Sequence, residues 1–167
     1  MIVFNLFSRY FWLLVLVITL TNWLRFRRKA QKYIGKNPQL EQGYAPLIRG
    51  YLFYTSLPWV VMGIGCTLGG VPSVWNYFRP RDGNPYVLAW FGSVFFLWVS
   101  GTFWLFFKGG AETLARYPGA LEFRYGLKSK VTTSPLTIKA LWLLLLASGI
   151  IGTAIIWSTN IPIPNSH

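Results

Sequence analysis

Apolar residues gather in four long runs along the chain, separated by shorter stretches where Arg, Lys, Gly and Pro reappear. The runs are Ile2 to Leu24, Gly50 to Val71, Val87 to Phe107 and Ile138 to Trp157. Each approaches the roughly 20 residues that a helix needs to cross about 30 Å of hydrocarbon. The third is the cleanest, with no charge and twelve Leu, Phe or Val between Val87 and Phe107. The first carries Arg9 ahead of its uninterrupted part, Tyr10 to Leu24, and an arginine near a helix end can snorkel to the interface. The pattern predicts an all-α integral membrane protein, a four-transmembrane-helix antiparallel bundle. One membrane domain covers residues 1–167, with spans at about 2–24, 50–71, 87–107 and 138–157. Short amphipathic or irregular segments at 25–49 and 108–137 and a loop at 72–86 join them.

Charge then sets orientation. Only 12% of the residues are charged, yet 16 Lys and Arg stand against 4 Asp and Glu, a net charge of +12. A soluble domain carries about twice that share of charge, with the signs mixed. Seven of the basic residues lie in Arg25 to Arg49 and six in Lys108 to Lys139, whereas the loop 72–86 has only Arg79 and Arg81. Positive charge near span ends is retained on the cytoplasmic side, so segments 25–49 and 108–137 are expected there, with both termini and the loop 72–86 on the other side. The membrane expected is the bacterial cytoplasmic membrane. A cleaved secretory signal would carry its positive charge before the apolar stretch. Here Arg25, Arg27, Arg28 and Lys29 follow it. Aromatic residues agree with two interfaces: Tyr10, Trp12, Trp75, Tyr77, Tyr86, Trp90 and Trp157 toward one, Trp23, Tyr51, Trp104 and Trp142 toward the other.

Beyond the first span, Phe26, Ala30, Tyr33 and Ile34 fall at i, i+4, i+7 and i+8, with Arg27, Arg28, Lys29, Lys32 and Lys36 between them. This predicts a basic amphipathic extension ended by Gly35 and Pro38, placed at anionic headgroups. Gly109 and Gly110 are positioned to cap the third span, and Glu112 and Arg116 stand in the favourable i, i+4 order of a short helix that Pro118 and Gly119 terminate. From Leu121 to Lys128 the apolar positions alternate, the period of a strand or of a surface loop dipping into the interface. Arg25, Arg27, Arg28, Lys29, Lys32, Lys36, Arg124, Lys128 and Lys130 are thus the candidate contacts with lipid or a partner. No nucleic-acid-binding motif accompanies the charge.

The expected spans hold no acidic residue and no histidine, a pattern that argues against bis-histidine haem, a carboxylate proton relay or an intramembrane metal hydrolase within this chain. No catalytic residue, metal ligand or cofactor is assigned. Cys66, the single cysteine, reads as a small packing residue, and His167 as a solvated terminal one. Small residues four apart, Gly65 with Gly69, Ser148 with Gly152 and Gly149 with Thr153, are candidate helix-packing positions. They suggest that the second and fourth spans meet, or that one of them pairs with a membrane-protein partner or a second copy. Pro58 predicts a bend in the second span. Together these features point away from an enzyme and toward an accessory, assembly or interaction subunit of a membrane complex. A small-solute transporter or channel component is the alternative.

Overall fold

The computed structural model describes residues 2–117, 120 and 134–159; those residues are helical or in turns, with no strand among them. The first helix, α1 (Ile2–Lys36), does not stop at the end of its apolar run. Arg, Lys, Ala and Gln after Leu24 are good helix formers, so the helix continues through them. Asn37 ends it: its side chain accepts a hydrogen bond from the Gln39 backbone N–H at 3.2 Å and starts a tight turn over Pro38–Leu40. Non-helical dihedrals interrupt α1 at Tyr10 (φ −108°, ψ 15°).

The second helix, α2 (Glu41–Thr67), begins nine residues before the expected Gly50, with Glu41 suitably placed in its first turn. Both Pro46 and Pro58 lie inside it, and Pro58 is buried. Pro58 has no N–H for the Tyr54 carbonyl, and one turn earlier the Thr55 hydroxyl donates to the Tyr51 carbonyl at 2.6 Å. The helix ends four residues short of Val71, where Leu68 and Gly69 N–H groups close on Ile64 and Gly65 carbonyls and Gly70 takes a positive φ of 64°.

Two short 3₁₀ turns, Val74–Phe78 and Pro80–Asp82, lie in the following loop. Asn84 then caps α3 (Pro85–Phe107), accepting from Tyr86 and Val87 N–H groups at 3.0 and 3.4 Å, while Pro85 occupies the first helical position, where no donor is needed. Gly109 at φ 69° turns the chain into α4 (Gly110–Arg116), and α5 (Pro135–Ser158) follows. The alternating segment 121–128, the turn at Pro118 and Gly119, and the tail from residue 160 lie outside the described residues.

Four helices, α1, α2, α3 and α5, are long and apolar enough to cross a membrane, which suggests a membrane protein. Their packing concentrates at two ends. One core gathers Met62, Val71, Val74, Tyr77 and Val87; the other gathers Leu105, Ala111 and Ile138. Along the helices between them, Phe95, Leu144, Leu145 and Ile151 are exposed large side chains, an arrangement costly in water and natural in hydrocarbon.

Candidate functional site

At one end of the molecule the extension of α1 folds against the start of α2. Phe26 meets the rings of Tyr51 and Tyr44 at 5.7 and 6.5 Å, and Ala30 and Tyr44 are both buried. The Trp23 indole donates to the Ile48 carbonyl at 3.0 Å, fixing the register of the two helices. The apolar side of the extension is therefore turned inward, and Arg25, Arg27, Arg28, Lys32 and Lys36 stay exposed. Arg25 donates to the Asn22 side chain at 3.3 Å, and the Arg27 guanidinium lies 5.6 Å from the Trp23 ring centroid. Lys29 is half-buried and engaged within the molecule. Arg124, Lys128 and Lys130 fall outside the described residues.

Beside this end, Glu112 of α4 binds Lys139 of α5 at 2.8 Å. The hydrogen bond from Lys139 holds the Glu112 carboxyl below its ordinary value, aided by a backbone N–H and by the ammonium charge. The pair spans 27 positions of sequence and joins the segment after α3 to the last helix. No feature of the sequence pattern singled it out, because Glu112 also stands at i, i+4 from Arg116.

The small residues separate into seats for rings and open positions. A Cβ on Gly65 would run into the Tyr77 hydroxyl and stand 3.1 Å from Tyr86, and one on Gly69 would enter the Tyr86 ring. Gly149 holds the Trp98 ring, with a Cβ there 2.6 Å from Trp98 Cζ2, and Gly101 seats Trp142 in the same way at 2.7 Å. Gly63 receives Trp12. Gly152 has no atom within 4 Å of such a Cβ, and the exposed Ser148 donates to the Leu144 carbonyl of its own helix. Thus Gly65 and Gly69, at the end of α2 and just past it, accommodate Tyr77 of the loop and Tyr86 of α3, while Gly149 accommodates Trp98 of α3.

The opposite end is an aromatic cap. Trp90 contacts the rings of Tyr77 and Phe91 at 5.7 and 5.0 Å, Phe91 meets Trp157 at 5.8 Å, and Trp75 stacks on Phe4 at 5.9 Å. Burial pushes the Tyr77 phenol above its ordinary value, with the neighbouring Cys66 adding to the effect. Arg79 pairs with Asp82 at 3.3 Å on the cap's surface.

Between the ends, α3 and α5 enclose an open groove of about 840 Å³, with Trp98, Thr102, Phe103, Ile150, Thr153 and Trp157 among its walls. Several hydroxyls of α3 are bonded to its own backbone. Thr102 donates to the Trp98 carbonyl at 2.7 Å and accepts from the Trp142 indole at 2.9 Å; Ser93 and Ser100 donate to the Trp90 and Phe96 carbonyls, each at 2.7 Å. Among the described residues no three His, Cys, Asp or Glu side chains come together as metal ligands would. What this surface offers is apolar area and hydrophobic shape, with basic charge densest at the end where α1 meets the start of α2. Comparison with protein-family models, curated proteins and solved structures yields no significant match.

Proposed function

We propose that this chain is an accessory, assembly or interaction subunit of a membrane complex, threaded four times through the bacterial cytoplasmic membrane as an antiparallel bundle. The contacts support the antiparallel reading. Trp12 with Gly63 and Trp23 with Ile48 run in opposite chain directions, as do Phe91 with Trp157, Trp98 with Gly149 and Thr102 with Trp142. Charge supports the orientation, with both termini outside and segments 25–49 and 108–137 in the cytoplasm, near anionic headgroups.

The observation that carries the functional reading is α5. It is a 24-residue apolar helix whose buried residue is Ile138, at one end, while Leu144, Leu145 and Ile151 are at least 60% exposed. It leans on α3 along one edge and leaves the Ser148 and Gly152 side open, a surface on which another transmembrane helix can pack closely. The transporter alternative would draw on the polar groups of the spans, and the hydroxyls of Ser93, Ser100 and Thr102 are already bonded to backbone carbonyls of α3.

The test is affinity purification of the full chain from native membranes in a mild detergent, with mass spectrometry of what accompanies it. A stoichiometric membrane partner is expected. Recovery of the chain alone, together with solute flux when it is reconstituted in liposomes, would overturn the reading in favour of a transporter.

A further inference from the structure

The cationic extension of α1 has a geometry that its anchoring role does not require. Successive residues of a helix are about 100° apart, so Arg25, Arg28, Lys29, Lys32 and Lys36, at i, i+3, i+4, i+7 and i+11, share one stripe about 100° wide. Phe26, Ala30 and Tyr33 lie on a different side: Phe26 packs on Tyr44 and Tyr51 of α2, Ala30 is buried, and Tyr33 is half-buried. An amphipathic helix lying in the headgroups needs a free apolar face, and this one has none. The stripe therefore stands along a helical hairpin that projects from the membrane.

Height separates the far end of this stripe from lipid. Lys36 is 12 residues beyond Leu24, about 18 Å along the helix axis at 1.5 Å per residue. The headgroup layer is roughly 5–8 Å deep on each side, and the Debye length is about 8 Å at physiological salt. Arg25 and Arg28 are within reach of headgroups, but Lys36 is beyond them even at an ordinary tilt of about 20°. Retention of positive charge on the cytoplasmic side depends on how many charges there are and does not require them on one face. Arg28, Lys32 and Lys36 have no ion pair among the described residues, and Glu41 is the one carboxylate between residues 25 and 49.

We infer that Arg25, Arg28, Lys32 and Lys36 form a docking surface for an acidic helix of a partner protein, one that carries carboxylates at the matching i, i+3, i+7 and i+11 spacing. This deepens the interaction-subunit reading and rests on it. Cations repeat along the stripe at the spacing of neighbouring side chains on a helix, about 5–6 Å, which a facing acidic helix reproduces charge for charge. Single-stranded nucleic acid would need exposed rings for its bases to stack on. Here the exposed neighbours are Gln31 and Gly35, whereas Tyr33 and Phe26 are half-buried.

The full chain, held in nanodiscs of phosphatidylcholine, is titrated with a fluorescent Ala- and Gln-based helical peptide bearing glutamates at that spacing. A peptide of equal composition with the glutamates distributed around the helix serves as comparison. Binding of the striped peptide is expected, with affinity falling about tenfold in Arg28→Gln/Lys32→Gln/Lys36→Gln, a loss in keeping with three modest exposed ion pairs. Arg81→Gln, at the far end of the molecule, is expected to leave it unchanged. Equal binding of the two peptides, or no effect of the triple substitution, overturns the proposal. A triple-variant defect confined to nanodiscs containing phosphatidylglycerol also overturns it, in favour of headgroup binding. The titration is independent of membrane orientation, so its failure would leave the interaction-subunit reading to stand or fall on co-purification.

Discussion

Tyr77 reaches back from the loop to donate its hydroxyl to the Met62 carbonyl at 3.1 Å, crossing over Gly65 so closely that no side chain fits between them. The contact holds the loop between α2 and α3 down on the helix it follows. Adding a methyl group at Gly65 must displace the phenol and cost the hydrogen bond. Gly65→Ala is expected to lower stability by about 1–3 kcal/mol through overpacking, and Tyr77→Phe by about 1 kcal/mol through the lost bond. Removing the hydroxyl also relieves the closest clash, so the double variant should lose less than the two singles combined. Thermal unfolding in detergent measures all three, and simple additivity would mean that the two residues do not share this contact.

A second coupling joins α3 to α5. The Trp142 indole donates to the Thr102 hydroxyl, which itself donates to the Trp98 carbonyl, so a chain of two bonds runs from one helix into the backbone of the other. Thr102→Val leaves the indole N–H of the half-buried Trp142 without its acceptor, which costs about 1 kcal/mol. A double-mutant cycle with Trp142→Phe should give a coupling of about 0.5–2 kcal/mol, the range found for hydrogen bonds between transmembrane helices. No measurable coupling would show that the ring is held by its seat on Gly101 alone.

How much of this was legible in the sequence differs from element to element. The cores of α3 and α5 follow from unbroken apolar runs, and the start of α3 from Asn84 and Pro85, since cap and first-turn signals are local. The helical extension of α1 was readable from Phe26, Ala30, Tyr33 and Ile34, and its end from Pro38. What hydropathy did not disclose is that α2 begins at Glu41, because a stretch holding Glu41, Gln42 and Arg49 reads as a connection until Tyr44 is seen to be its buried contact with α1. Distant pairings were equally hidden. Gly65 and Gly69 carry the spacing of a helix contact, and what fills them is Tyr77 and Tyr86, which no local pattern announces. The break in helical dihedrals at Tyr10 of α1 was hidden too, since no proline marks it.

The ion pair of Glu112 and Lys139 sets a pH dependence whose sign is determined by the carboxyl. In the folded chain its value is depressed below the ordinary 4.5, so the contribution of the pair is complete above 4.5 and disappears as the pH falls through the folded value. The melting temperature of the wild type should exceed that of Glu112→Gln by a constant margin from pH 7 down to about 5, a margin that closes in more acidic buffer. Thermal scans of both proteins across that range check it. A gap that widens on acidification would contradict the assignment.

Orientation is accessible to labelling. In a Cys66→Ala background, Lys32→Cys and Lys108→Cys should be protected from a membrane-impermeant maleimide in intact cells and react after lysis, whereas Arg81→Cys should react at once. The exposed loop position of Arg81 and the exposed helix position of Lys32 make both sites accessible to the reagent on their own sides. Labelling of Lys32→Cys and Lys108→Cys on opposite faces would break the four-span topology.

Two glycines of α5 separate internal packing from association. Gly149 is filled by the Trp98 ring, so Gly149→Leu must push α3 and α5 apart, and an overpacked contact of this kind costs about 1–3 kcal/mol. Gly152 meets nothing within 4 Å, so Gly152→Leu adds bulk to open surface and should leave the melting temperature of the isolated chain within a degree or two of the wild type, as surface substitutions generally do. If α5 presents its Ser148 and Gly152 side to another helix, that bulk stands where close approach is needed, and Gly152→Leu should lose the co-purifying partner while Gly149→Leu lowers stability first. Full recovery of the partner with Gly152→Leu would move the interface away from this side of α5, leaving the α3–α5 groove and the outward face of α1 as the remaining apolar surfaces to be covered.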